Sequence, residues 1–277
     1  MPTVTVGDVE VMPLLDSRLL MDPRMFIPAH AQEFVDEAGP PEDPRGLYSM
    51  AVTCYLLRSA GKTILVDSGI GRRRRPAMPL GHLNDSLAEA GVAPGDIDIV
   101  LNTHLHVDHV GWNTIDKDDG TREVFFPNAQ FWIQQGEWDY WMTPERLADP
   151  ANAHLVDCVE PLRDTGRITF AEKEQAIDAH LTYVPTPGHT PGHVSIGIAS
   201  QGERAVIVGD ASHHPIQLVH PDWSPSYDID PLAAASSRER LFDWAIDEGR
   251  TWMAGHWIHP GIGRLLRLDG KRTFRAL

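Results

Sequence analysis

Apolar and polar positions alternate over residues 3–15, where Val4, Val6, Val9 and Val11 mark a period of two that predicts strand. Residues 17–46 lose that period. Met21, Met25, Phe26 and Ile27 are followed by Pro40, Pro41 and Pro44, a composition that predicts a long irregular N-terminal arm of the kind that often serves function. Hydrophobic runs resume at 50–58 and 63–66, the second ending in Asp67-Ser68-Gly69, and both read as strands. A short helix is expected next, with Asn84 or Asp85 as its cap, Leu87 and Ala88 facing inward and Gly91 as its stop. Residues 97–101 read as a buried strand, and strands at 123–126 and 129–133 flank a turn at Pro127-Asn128. The stretch 135–163 is helix-rich, and strands return at 167–170, 180–184, 193–199 and 204–209. Residues 231–248 pattern as an amphipathic helix with Leu232, Ala235, Leu241, Trp244 and Ala245 on its inner side, and a last strand, 251–254, ends at Gly255-His256.

Each half therefore reads as strands followed by helix, with no repeat, linker or low-complexity tract. One domain over 1–277, with two packed sheets, helices outside and a site along the shared edge, satisfies the pattern. The composition is that of a soluble globular protein, 42% hydrophobic and 23% charged. The net charge of −15 argues against a nucleic-acid partner, because polyanion binding needs clustered lysine and arginine. Arg72 to Arg75 are the exception, either a solvated loop or a clamp for an anionic substrate group. Cys54 and Cys158 cannot build a disulfide framework, and Cys54 lies in an apolar run that makes it a buried strand residue. No stretch approaches the roughly 20 apolar residues of a membrane span, and Met1-Pro2-Thr3-Val4 does not open a secretory leader. The expectation is a cytoplasmic protein with no membrane partner.

Chemistry concentrates at His104-Leu105-His106-Val107-Asp108-His109, four possible ligands in six positions directly after a strand. In extended chain, residues two apart point the same way, so His104 and His106 can reach one ion, while Asp108 and His109, beyond the turn, can aim at a second. Three further ligand types stand at breakpoints between elements. His189 lies in Thr186-Pro187-Gly188-His189-Thr190-Pro191-Gly192-His193, Asp210 follows the run 205–208 and can bridge two ions, and His256 ends a strand. A lone histidine is usually a surface or core residue, and this chain has 14 of them. Four ligands in six residues, joined by three at strand ends, outweigh that reading. Imidazole with carboxylate suits zinc, iron or manganese, and an ion pair turns water into a nucleophile near neutral pH. Other motifs fail: Gly69-Ile70-Gly71 lacks the third glycine of a dinucleotide loop, and His193 to Gly197 lacks the first glycine of a serine-hydrolase elbow.

The constellation resembles the metallo-β-lactamase superfamily, whose signature His-x-His-x-Asp-His is met at 104–109, with Asp67-Ser68-Gly69, the Pro-Gly-His at 187–189, the Gly-Asp at 209–210 and His256 in support. The resemblance implies an αββα sandwich, of class α+β, with two mixed β-sheets and helices on the outer faces. It implies two divalent metal ions, zinc the first choice and iron, manganese or cobalt the alternatives. His104, His106 and His189 would hold one ion, Asp108, His109 and His256 the other, Asp210 would bridge them, and Asp67 would orient a ligand histidine. His193 would pack behind the site. His213-His214-Pro215, His220-Pro221-Asp222-Trp223, Phe126-Pro127-Asn128-Ala129 and Glu137-Trp138-Asp139-Tyr140-Trp141 are similar to the N-acyl homoserine lactonase and methyl parathion hydrolase-like group. The best-known lactonases place a substrate-contacting tyrosine three residues after the bridging aspartate, and here that position is His213.

The expected reaction is attack of a metal-bridged hydroxide on a lactone or carboxylic ester, a quorum-quenching type of activity, with Asp108 passing a proton to the leaving alkoxide and His213 as proton donor or oxyanion contact. A phosphotriester, thioester or β-lactam substrate, or a non-catalytic metal-binding protein, are the alternatives. Met21, Met25, Phe26, Trp112, Trp223 and Trp257 are the candidate substrate walls, by their nearness in sequence to site segments or to the arm. The small-molecule substrate is the expected partner, and the same aromatics and the arm suit a homodimer.

Overall fold

In the computed structural model, which describes residues 3–277, the chain forms β1 (Val4–Val6), β2 (Val9–Met21), β3 (Tyr48–Ser59), β4 (Lys62–Val66) and β5 (Ile99–Leu101). A small ribbon, β6 (Thr114–Asp116) with β7 (Arg122–Val124), precedes β8 (Gln130–Gln134) and β9 (Ile168–Ala171). The second half supplies β10 (Gln175–Ala176), β11 (Leu181–Pro185), β12 (Val194–Ser200), β13 (Glu203–Ile207), β14 (Thr251–Met253), β15 (Ile262–Leu268) and β16 (Lys271–Ala276). Met1 and Pro2, part of the stretch read for a leader, lie outside the described residues. One sheet has the order β1-β2-β3-β4-β5-β8-β9, and the other runs β10 to β16 in sequence order. Both are mixed: β4, β5, β8 and β9 are mutually parallel, as are β13 and β14.

The side-chain period of two builds the layers. Ile64 and Val66 of β4 point between the sheets, where they meet Ile196, Ala205, Ile207 and Met253 of the facing sheet. Leu65 points the other way, onto Leu83 and Leu87 of α3 (the third helix, Leu83–Glu89, after α1, Pro23–Phe26, and α2, Ala31–Ala38). Val206 of β13 likewise points outward, onto Leu241, Phe242 and Ala245 of the helix Pro231–Asp247. Between α3 and that last helix come α4 (Gln135–Trp141), α5 (Pro144–Leu147) and α6 (Ala153–Cys158), so Pro231–Asp247 is α7. This is the αββα, α+β arrangement expected. Central strands buried on both faces explain the unbroken apolar run of β3. Among the described residues no helix is long and apolar enough to cross a membrane.

The parallel pairs position the site. β4 and β5 of one sheet, and β13 and β14 of the other, all end at the same rim, and Asp67, His104, Asp210 and His256 lie just past those ends.

Several expectations fail locally. The arm 17–46 is not irregular: β2 continues to Met21 in register with Tyr48, and α1 and α2 follow. A register shift between Leu15 and Ser17 breaks the alternation midway, which hides the strand from a pattern reading. In α3 the cap position is His82, and Ala88 faces outward while Leu83, Ser86 and Leu87 are buried. On α7 Leu232 is 85% exposed, and the inner face is Ala234, Ser237, Arg238, Leu241, Phe242 and Ala245. The β15–β16 hairpin went unrecognised because its arginines obscure the pattern; two of them, Arg267 and Arg272, pair with Asp243 on α7.

The shift at 15–17 has a consequence. It turns Asp16 inward, where it is 1% exposed and accepts hydrogen bonds from Ile70 N (2.7 Å), Leu83 N (2.8 Å) and the Trp112 indole (2.9 Å). This carboxylate pins both ends of the 69–83 loop. Asp16→Ala strands three buried donors and is expected to cost about 3 kcal/mol of unfolding free energy in urea titrations; a loss under about 1 kcal/mol would show that the loop is held by other contacts.

Candidate metal centre

Past the end of β5 the chain leaves the sheet at Asn102 and delivers His104 and His106 to one side of a cleft. The Pro187-Gly188-His189 turn enters from the opposite sheet, and Gly188 is the residue that lets it approach. With φ at +134°, a Cβ there would lie 2.0 Å from Ala234 N on α7. The described side chains gather in three overlapping groups, each with potential ligand atoms within 4.8 Å of one another: His104, His106, His189 and Asp210; Asp108, His109 and His256; and Asp210, His213 and His256, the last joining the first two.

Asp210 sits between the sets, 3% exposed. Its Oδ2 is 3.2 Å from His189 Nε2 and 3.7 Å from His104 Nε2, and its Oδ1 is 3.1 Å from both His109 Nε2 and His256 Nε2. Asp108 approaches His256 Nε2 at 3.5 Å. His106 Nδ1 and His189 Nε2 face each other at 2.9 Å, both aimed at the same point. The donor set fits two borderline-soft cations. A further sign of fit is that His104 Nε2, His109 Nε2 and Asp210 Oδ1 are buried with no hydrogen-bond partner, a costly state for atoms that have no ligand to bind.

The far nitrogens of the imidazoles are held from behind. Asp67 Oδ2 receives His109 Nδ1 at 2.8 Å and Thr103 Oγ1 at 2.9 Å, with Thr103 N on Oδ1. Ala51 O takes His256 Nδ1 at 2.7 Å, and Asp228 Oδ1 takes His189 Nδ1 at 2.8 Å. Such partners fix ring orientation and leave Nε2 to face the centre. Glu137, 1% exposed, accepts from Leu105 N, Gly192 N and the Trp141 indole, and so ties the His-x-His segment to the turn carrying His189. His193 lies behind the site: its Nε2 accepts from Asp210 N at 2.9 Å.

Charge follows from this crowding. Burial works against a proton on His189, but Asp210 and Asp228 outweigh it and push the imidazole up to about 9. Burial is likewise overcome, chiefly by Asp210, at His109 and His256, which are also raised. Burial and neighbouring imidazoles drive His104 and His106 down. Burial disfavours charge on Asp210, yet His109 and His256 hold it well below the carboxylate range.

His213 is fully enclosed, with Nε2 3.1 Å from Asp210 Oδ2 and its ring stacked on His256 at 5.4 Å. Burial pushes its pKa down to about 4. Tyr227, from the loop before α7, stands edge-on to His213 at 5.3 Å and to His189 at 5.8 Å.

A cavity of about 670 Å³ opens onto the centre. Its walls include Leu19, Met50, Met78, Val107, Trp141 and Tyr227, with Arg74 and Arg75 also contributing. The six expected wall residues do not line it. Trp112 points into the core towards Asp16, and Trp257 packs on Trp252 and Phe274. Met21, Phe26 and Trp223 belong to a neighbouring apolar cluster that backs the site through Phe26, which lies edge-on to His213 at 6.0 Å and tilted on Tyr227 at 5.9 Å, and Met25 is 73% exposed. Trp257 directly follows His256, yet its ring turns to the opposite side of the chain, into the core. Of the arginine run, Arg73 pairs with Asp116 and Arg75 with Asp157, so it is more than a solvated loop. Asp228, Glu137 and Tyr227 went unrecognised as site residues; each is an ordinary residue type with no local ligand spacing.

The Metallo-beta-lactamase superfamily model matches residues 48–115 and 131–256. An N-acyl homoserine lactonase of Bacillus thuringiensis is 26% identical over 233 residues, 78% of this chain and 84% of that protein. The crystal structure of the hydrolase AbOPH superposes with a TM-score of 0.86 at 27% identity, over 99% of this chain and 96% of its own. AidC, a dizinc quorum-quenching lactonase in complex with the product N-hexanoyl-L-homoserine, gives 0.82 at 25% identity, over 100% and 97%. With its sheets, its ligand spacing and its hydrolase relatives in agreement, the chain belongs to the metallo-beta-lactamase superfamily.

Proposed function

We propose that the chain is a two-metal hydrolase that opens a lactone or cleaves a carboxylic ester, in the manner of the acyl homoserine lactonases. The observation that carries this reading is the pair of ligand sets meeting at one buried carboxylate, at the floor of a mostly apolar cavity. His104, His106 and His189 would hold one ion, Asp108, His109 and His256 the other, with Asp210 between; zinc is favoured by the dizinc neighbour. Bound there, two cations would supply Lewis acidity and bring the pKa of water to about 7.

The chain's own groups do the rest. Asp67, Asp228 and Ala51 O keep the imidazoles aimed. Asp108 lines the cavity and is placed to hand a proton to the departing alkoxide. His213 faces the bridging carboxylate and fixes its orientation. The Tyr227 hydroxyl is the donor for the substrate carbonyl, a role its place on the cavity wall beside His213 supports. The volume, about 670 Å³, is within the range of small-molecule sites, and Leu19, Met50, Met78 and Val107 suit an acyl chain.

Assays of the zinc-loaded protein on acyl homoserine lactones, aryl esters, a paraoxon-like triester and a cephalosporin should show turnover of the first two classes. Turnover of the triester alone, or of nothing, overturns the reading. Tyr227→Phe is expected to lower lactone kcat/KM by about tenfold, near 1.4 kcal/mol; an unchanged value removes Tyr227 from the reaction.

Ion uptake also has a pH signature. With His109, His189 and His256 raised, the ion-free site carries protons at pH 7, and they must leave before the nitrogens bind a cation. Zinc titrated calorimetrically at pH 7 in two buffers of different ionisation enthalpy should release protons, and its affinity should fall as pH is lowered. Uptake of two ions per chain with no proton release would contradict this charge state.

A further inference from the structure

α7 does more than cover the second sheet. Arg238, on its inner face, is 0% exposed and uses its guanidinium on three acceptors. Nε donates to Ala211 O at 2.7 Å, Nη1 to Pro221 O at 2.5 Å, and Nη2 to Asp228 Oδ2 at 3.1 Å. Each acceptor belongs to a different part of the centre. Ala211 follows Asp210, Pro221 opens the loop that carries Tyr227, and Asp228 holds His189 Nδ1 through its other oxygen at 2.8 Å. The residue before it, Ser237, donates Oγ to Pro187 O at 2.7 Å, and one turn earlier on α7 Ala234 packs on Gly188.

We infer that Arg238 is a positioning residue for the first ion: through Asp228 it sets the orientation of His189, and through Ala211 it registers Asp210 against that imidazole. This rests on the two-ion reading above. Stability alone is a poor account of the pair. A fully buried ion pair is commonly no better than a well-packed apolar pair of similar volume, because desolvation offsets the attraction. A planar fork reaching three acceptors is, by contrast, what a lysine or an apolar residue cannot reproduce.

The test compares the wild type with Asp228→Asn, Arg238→Met and Arg238→Lys, titrating each with zinc against a chromophoric chelator and recording cobalt(II) absorption spectra. Circular dichroism with excess zinc reports the fold. Partners behind metal ligands typically alter affinity by about 10–100-fold. That loss is expected for one of the two ions in Asp228→Asn and Arg238→Met, with a changed cobalt spectrum, while the other ion stays tight. Arg238→Lys should fall between. Should Arg238→Met fail to fold, Asp228→Asn decides, since it preserves shape and leaves the bonds to Ala211 and Pro221. Two ions held as tightly in Asp228→Asn as in the wild type would make the pair merely structural and overturn the inference. A wild type that takes up no ion overturns the two-ion reading itself, and the inference with it.

Discussion

The Asp210 carboxylate, buried among five imidazoles, is the constraint around which this molecule is arranged. His104, His109, His189, His213 and His256 all place Nε2 within 3.1–3.7 Å of one of its two oxygens. An isolated carboxylate at such depth would take up a proton; ringed by imidazoles it stays ionised, and in return it raises the pKa of His109, His189 and His256. Its two oxygens also divide the imidazoles. Oδ2 faces His104, His189 and His213, Oδ1 faces His109 and His256, and the proposal of two ions rests on that division. Reaching this point demands a sharp exit from β13. Gly209 makes it with φ at +53°, and a Cβ there would be 2.7 Å from His193 Nε2, the atom that accepts the Asp210 amide.

Histidines clustered this tightly repel when charged and drift when neutral, so their aim depends on what stands behind them. The supports come from every layer of the fold. Asp67 follows β4, Ala51 lies in β3, Glu137 in α4, and Asp228 precedes α7, where Arg238 holds it. Rigid elements that each donate one contact make a preorganised centre, and this is how the candidate ligands, just past the strand ends, keep their aim.

What could be read from the sequence, and what could not, follows from the same division. The candidate ligands announce themselves because strand geometry puts His104 and His106 two apart, and because glycine and proline mark the turns where His189, Asp210 and His256 emerge. The central strands, β3, β4 and β13, are apolar on both faces and were equally plain. The supports were not, since Asp228 and Arg238 are ten residues apart, meet as helix cap region and helix face, and resemble any solvated pair. The β2 bulge concealed a long strand and with it Asp16. The substrate walls failed for a related reason: Trp112 and Trp257 follow site segments closely, yet the backbone turns both rings into the core.

Much of the cavity wall comes from segments that carry none of the candidate ligands, although Val107 of the His-x-His segment lines it too, and this lets the choice of substrate vary apart from the centre. Ligands stand at strand ends that two sheets hold in place. Arg74 to Met78 form a loop, and Pro150 to His154 run from a short 3-10 turn into the start of α6; both line the cavity and are fastened to one another and to the β6–β7 ribbon by Arg73 with Asp116 and by Arg75 with Asp157. Asp16 pins the near end of the first loop from inside the sheet. Exchanging side chains on these segments alters which substrate fits while Asp210 and its imidazoles stay where the sheets put them. A fold built in this way can vary its substrate through the loops while keeping one hydrolytic centre, so long as the supports beneath the histidines remain.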